Sequence, residues 1–268
     1  MGVRGLADLV HFTASASRAA KDPVRGQLKI LRRIIGYLKH TPSKSITFDG
    51  NGIDEIRIEA FTDAGHSKHT SGYVISMGSG ALSWKSKLQS RVSGSICKGE
   101  YMAAELCLHE VKFIRELLSD VGFPQTHTLM FIDNQASINL MLNNTSLKKH
   151  DRTTIHVLQE SVDERIFIPI YIPSKLNVAD MFTKANAAKS GGQDKNLMAL
   201  INGSQLTAVD YRKHIETIVN DNFIKINKIP EFPSAEKLLK HVSLAHKVRE
   251  KIEENDSRFP KKHEVQTN

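Results

Sequence analysis

Residues 55–62 alternate: Ile56, Ile58 and Ala60 interleave with Arg57, Glu59 and Phe61, a period of two that predicts a strand ending at Asp63. Residues 72–77 and 81–85 read as two further strands around the tight turn Gly78-Ser79-Gly80, which makes an antiparallel meander of three. The period then changes. Ala103, Ala104, Leu106, Cys107, Val111, Ile114, Leu117 and Leu118 recur at helical spacing and predict a helix over 97–119, closed by Pro124. A short apolar strand over 129–132 leads to Asp133, followed by helices over 136–142 and 152–163, a strand over 166–172 and a final helix over 176–188 that carries Asp180.

Upstream, Val24, Leu28, Leu31, Ile35 and Leu38 form one apolar helix stripe, with Arg25, Lys29, Arg32, Arg33 and Lys39 largely off it. Asp22-Pro23 would cap this helix and Thr41-Pro42 would end it. Residues 1–21 are weakly patterned. Downstream, Ser190-Gly191-Gly192-Gln193 reads as a linker before helical segments over 209–227 and 234–254 and a charged, disordered end over 251–268. The order predicts an α/β fold, a mixed sheet with helices on its faces.

Four acids stand out in this frame: Asp63 and Asp133 at the ends of apolar strands, and Glu100 and Asp180 in helix-like runs. Carboxylates are costly to hold together unless a cation binds them, so their convergence would point to a pair of divalent metal ions. The chain has 268 residues, 40% of them hydrophobic, and a formal net charge of +8. A basic surface around central carboxylates suits a polyanionic substrate. The two cysteines, Cys97 and Cys107, lie in one predicted helix and cannot bridge there, and without a Cys-x-x-Cys pair a structural zinc site is not expected. A reduced, intracellular protein with no membrane span is expected.

Five motifs carry a family resemblance: Thr70-Ser71-Gly72-Tyr73-Val74, Leu82-Ser83-Trp84-Lys85-Ser86-Lys87, Glu100-Tyr101-Met102-Ala103-Ala104, Asp133-Asn134-Gln135 and Ala179-Asp180-Met181-Phe182-Thr183-Lys184. In that order they resemble the ribonuclease H domain of Ty1/copia-type long-terminal-repeat retrotransposon Pol polyproteins, and 28–39 resembles the helix that follows the reverse-transcriptase core. The resemblance implies a ribonuclease H-like fold with a five-stranded mixed sheet. It divides the chain into a connection remnant (1–50), a ribonuclease H-like domain (51–188) and a helical, partly disordered C-terminal extension (189–268).

It also implies Mg²⁺-dependent endonucleolytic cleavage of the RNA strand of an RNA–DNA hybrid. Asp63, Glu100, Asp133 and Asp180 would be the catalytic residues and the ligands of two Mg²⁺ ions, about 4 Å apart, with Mn²⁺ able to substitute. Thr70, Ser71, Gly72, Lys85, Lys87, Asn134 and Gln135 are candidate substrate contacts, and Asn134 and Gln135 could equally cap the helix that follows. Pol and Gag proteins of an intact element are the implied partners, in a cytoplasmic virus-like particle or the nucleus.

The sequence departs from the family pattern at Ile96-Cys97-Lys98-Gly99 before Glu100 and at Asp151-Arg152-Thr153-Thr154-Ile155-His156. It also lacks the reverse-transcriptase catalytic motif, so a fragment of a larger polyprotein is expected. The competing expectation is a catalytically inactive remnant that binds nucleic acid or interferes with an intact element's polyprotein.

Overall fold

The computed structural model describes residues 7–184 apart from 19, 21–24, 43–44, 47, 49–56, 66–68, 78–79, 91–93 and 144–151. The proposed cap at Asp22-Pro23 and the C-terminal extension lie outside the described residues.

Five strands form one mixed sheet: β1 (Ile58–Gly65), β2 (Thr70–Met77), β3 (Gly80–Leu88), β4 (Thr128–Ile132) and β5 (Phe167–Tyr171), in the order β3-β2-β1-β4-β5. The β1–β2 and β2–β3 pairs are antiparallel, and β1–β4 and β4–β5 are parallel. This is the five-stranded mixed sheet that the sequence led us to expect. Strand β1 is central, which explains why seven of its eight residues are buried. Pro169 is tolerated because β5 is an edge strand.

Helix α3 (Ile96–Asp120) covers one face of the sheet. Its Tyr101, Ala104, Cys107, Leu108 and Val111 meet Ile58, Ala60, Tyr73 and Ile75 in the larger core. The Ser95 side chain caps the helix by accepting from the Lys98 amide at 3.2 Å. Gly122, in the left-handed region (φ 91°), ends it two residues before the expected Pro124. Helices α4 (Gln135–Leu142) and α5 (Arg152–Asp163) complete that layer.

The second face is covered by short pieces. Phe61 and Phe131, in register on β1 and β4, stack at 4.7 Å beneath Val178, Ala179, Met181 and Phe182. The last four residues belong to a 3-10 turn, Val178–Phe182, where a longer α-helix was expected. The amide of Asp180 bonds Asn177 O and that of Thr183 bonds Asp180 O, both three residues back.

The weakly patterned N-terminus supplies two elements: a 3-10 turn (Ala7–Leu9) and helix α1 (Val10–Ser17) lie against this face, with Ala7 and Val10 in its cluster. Helix α2 (Arg25–His40) packs on α1 through Ile34, Ile30, Tyr37 and Leu38, so of the expected stripe only Leu38, among the described residues, joins this contact. Leu28, Leu31 and Ile35 are 49%, 43% and 64% exposed. Among the described residues no helix is long and apolar enough to cross a membrane.

Candidate carboxylate site

The site forms where β1 and β4 run side by side. Thr62 pairs with Ile132 in a parallel register, so the next residues, Asp63 and Asp133, emerge as neighbours. Asp63 lies inside β1 rather than at its end, because the ladder with β2 continues through Asp63↔Gly72 and Ala64↔Ser71 to Gly65↔Thr70. Asp180 arrives from the 3-10 turn. Asp63, Asp133 and Asp180 each offer a carboxylate oxygen, and those atoms all lie within 4.8 Å of one another.

Glu100 comes from the opposite face, in the first turns of α3, and its Oε1 accepts from the Ala64 amide at 3.3 Å. Its Oε2 is buried and has no hydrogen-bond partner among the described residues. A buried carboxylate oxygen without a donor is costly in the absence of a cation.

Each acid is also held by a neighbour. Thr183 donates its hydroxyl to Asp63. Ser174 donates to Asp133 at 2.6 Å, and Lys184 pairs with Asp180. The turn itself is seated by Asn177, whose side-chain amide donates to Thr62 O at 2.8 Å.

Two glycines make room for it. A Cβ at Gly72 would stand 2.7 Å from Phe182 Cβ and 2.8 Å from Thr183 Cγ2, and one at Gly65 would stand 2.9 Å from Thr183 O. Gly72→Ala is therefore expected to push the turn off the sheet and cost about 1–3 kcal/mol of stability. Urea unfolding measures it, and a stability equal to the wild type would contradict this seating.

Burial and mutual repulsion dominate the electrostatics. Burial, then Asp180, pushes Asp63 up from 3.8 to about 7, against the Thr183 hydrogen bond and Lys184. Burial, then Asp63 and Asp133, pushes Glu100 up from 4.5 to about 9. Burial opposes the Lys184 charge, but the Asp180 hydrogen bond and the surrounding acids outweigh it and raise its pKa. Four carboxylates with an all-oxygen donor set fit a hard divalent cation.

Ser174 and Asn177 gave no signal in the sequence pattern, and Thr183 stood out only as part of the motif around Asp180. Side chains that hold a ligand in place follow no period. The expected substrate contacts divide. Thr70 and Ser71 are buried, and Gly72 lies under the 3-10 turn. Ser71 instead accepts from Gln89 at 3.0 Å, and Gln89 also donates to Gly99 O next to Glu100. Asn134 caps α4 by accepting from the Ser137 amide at 2.9 Å. Lys85, Lys87 and Gln135 are exposed.

No family model matches the chain. Over 185 residues it is 30% identical to the retrovirus-related Pol polyprotein from transposon TNT 1-94 of Nicotiana tabacum, a match covering 66% of this chain and 14% of that polyprotein. The chain is a relative of the retrotransposon Pol polyproteins. A second such protein, from transposon RE1 of Arabidopsis thaliana, is 27% identical over 187 residues, covering 66% of this chain and 13% of the polyprotein. This Pol relative thus spans about a seventh of the length of the curated proteins it matches. Among solved structures, LC11-RNase H1 in complex with an RNA/DNA hybrid is 18% identical, with 47% of this chain and 93% of that chain covered and a TM-score of 0.39. A likeness that distant carries no argument about function.

Proposed function

We propose that this Pol relative is a ribonuclease H, which cleaves the RNA strand of an RNA–DNA hybrid endonucleolytically with a divalent cation, Mg²⁺ or Mn²⁺. The observation that carries the reading is the convergence of Asp63, Asp133 and Asp180 within 4.8 Å, beside the partnerless Glu100 oxygen. Its similarity to Pol polyproteins supports the choice of a nucleic-acid substrate.

When bound, divalent cations supply the Lewis acidity that phosphodiester hydrolysis needs. The residues of the chain do the rest. Asp63, held at one carboxylate oxygen by the Thr183 hydroxyl, would be the central ligand. Asp133 and Glu100 flank it, each with one oxygen tethered by Ser174 or by the Ala64 amide. Asp180 closes the outer side, where Lys184 balances charge while no cation is bound. Exposed Lys85 and Lys87 on edge strand β3 supply positive charge for the phosphate backbone.

A labelled RNA–DNA hybrid incubated with the full chain tests the reading. Cleavage confined to the RNA strand, present with Mg²⁺ and abolished by EDTA, is expected. Hybrid binding with no cleavage in either condition would instead establish the inactive, nucleic-acid-binding remnant.

A further inference from the structure

The Thr183 hydroxyl that fixes Asp63 is itself held from behind. The carbonyl of Phe182, one residue earlier, accepts two hydrogen bonds inside the second-face core. Ser86 on β3 donates to it at 2.6 Å. The ring of His11, on helix α1, reaches it through Nδ1 at 3.0 Å. A carbonyl oxygen only accepts, so His11 Nδ1 carries the proton in this contact. His11 is 2% exposed, and nothing in the proposed chemistry uses it. Its place is nevertheless one bond network away from the carboxylates: His11 to the Phe182 carbonyl, then the Thr183 hydroxyl to Asp63, with Asp180 two residues before that carbonyl.

We infer that His11, contributed by the N-terminal segment ahead of the sheet, is a positioning residue of the carboxylate site. It fixes the peptide plane at Phe182–Thr183 and so aims the Thr183 hydroxyl at Asp63. Three observations converge on this. The peptide has little freedom on its sheet side, where Gly65 and Gly72 leave room for Thr183 but for no added methyl. The opposite side is closed by α1, which touches β3 and the 3-10 turn. The Thr183 hydroxyl also lies 3.1 Å from Asp180 O, a competing acceptor within its own turn. A hydroxyl has one proton to give, so a small rotation of this peptide decides which acceptor receives it. When Asp63 receives it, the carboxylate is oriented. When Asp180 O receives it, Asp63 is left to swing. Partners behind a ligand set its orientation and affinity in this way, and removing one costs about 10–100-fold in metal affinity.

The inference rests on the proposed metal site, and its test separates the two. Mn²⁺ affinity of the full chain is measured by calorimetry for the wild type, His11→Ala, His11→Asn, Thr183→Val and the His11→Ala/Thr183→Val pair. Ile34→Ala serves as a packing control, because it loosens α1 against α2 without touching Phe182. Melting of each variant confirms that it is folded at the temperature used.

His11→Ala is expected to weaken Mn²⁺ binding about tenfold. His11→Asn, which keeps an amide donor near the Nδ1 position, should restore it to within about twofold of the wild type. The double variant should bind no more weakly than Thr183→Val alone, because both changes remove the same constraint on Asp63. Amide hydrogen exchange at Thr183 and Lys184 should rise in His11→Ala and not in Ile34→Ala. Equal Mn²⁺ affinity in His11→Ala and the wild type overturns the inference, as does an equal loss in His11→Ala and Ile34→Ala, or strict additivity in the double variant. A wild-type chain that captures no Mn²⁺ removes the metal site and this inference together.

Discussion

Asp63→Asn is expected to lower Mg²⁺-dependent cleavage of an RNA–DNA hybrid by about three orders of magnitude or more, while hybrid affinity stays within about twofold. Asparagine keeps the size of the side chain and an oxygen that can accept the Thr183 hydroxyl. What it loses is the negative charge at the centre of the cluster. Because Asp63 is 2% exposed, the loss touches substrate only through the site. The same change should stabilise the cation-free fold, by about 1–2 kcal/mol, since it removes a buried charge with acidic neighbours. Gel-resolved cleavage, a hybrid-binding titration and thermal melting measure the three effects. Cleavage undiminished in Asp63→Asn would sink the site.

The second large effect concerns pH. With divalent cations stripped, melting temperature is expected to fall as pH rises from about 4 to about 9, whereas ordinary paired carboxylates produce the reverse. Asp63 is raised to about 7 and Glu100 to about 9 by burial and by the neighbouring acids. Across that window the folded protein keeps protons that the unfolded chain has already released, so each step up in pH favours unfolding. Below about 4 both states are protonated and the penalty vanishes. Above about 9 it is complete.

Divalent cations would act against it, because at the proposed site they would bind the folded state and prefer ionised carboxylates. At a concentration one hundred times the dissociation constant they would add about 2.7 kcal/mol. The gain in melting temperature on adding Mg²⁺ should therefore be larger at about pH 8 than at about pH 5. Glu100→Gln should flatten the upper part of the slope. Scanning fluorimetry with Mg²⁺ and with EDTA at the two pH values decides it, and a cation-free melting temperature that climbs with pH would be incompatible with this site.

Much of the sheet was readable in the sequence because its strands carry their own pattern. The interleaved run before Asp63 and the apolar run before Asp133 mark β1 and β4, and their parallel pairing brings the two acids together. Helix α5 falls at the expected 152–163, since Ile155, Leu158 and Val162 lie on one side of it. The last two residues of β1, Ala64 and Gly65, were hidden. Ala64 to Ser71 reads as a polar loop, yet Ala64 and Gly65 continue β1 and pair with Ser71 and Thr70 of β2 beside the segment that carries Thr183.

That turn was mistaken for an α-helix because Val178, Met181 and Phe182 are spaced three and four apart, which suits either winding; the hydrogen-bond pattern decides, and it leaves no trace in the spacing. In α2 two stripes compete, Leu28-Leu31-Ile35 and Ile30-Ile34-Tyr37. Both have helical spacing, and only the position of α1 selects the second. Helix α1 was missed altogether, being eight residues long with small and polar positions around one buried histidine. The three aspartates that converge, Asp63, Asp133 and Asp180, were singled out from their local settings; the hydrogen bonds that hold them were not.

The Thr183–Asp63 contact joins residues 120 positions apart. Loop closure over such a span is paid before any reward arrives, so strands and helices with nearer partners form first and the Val178–Phe182 segment docks among the last. During synthesis, the meander and α3 leave the ribosome well before Asp180 exists, and the nascent sheet stands with its acidic edge incomplete. The acidic cluster is therefore completed only in the closing moments of folding, and a chain halted before Asn177 would have most of its sheet but would lack Asp180 and the Thr183 hydroxyl that holds Asp63.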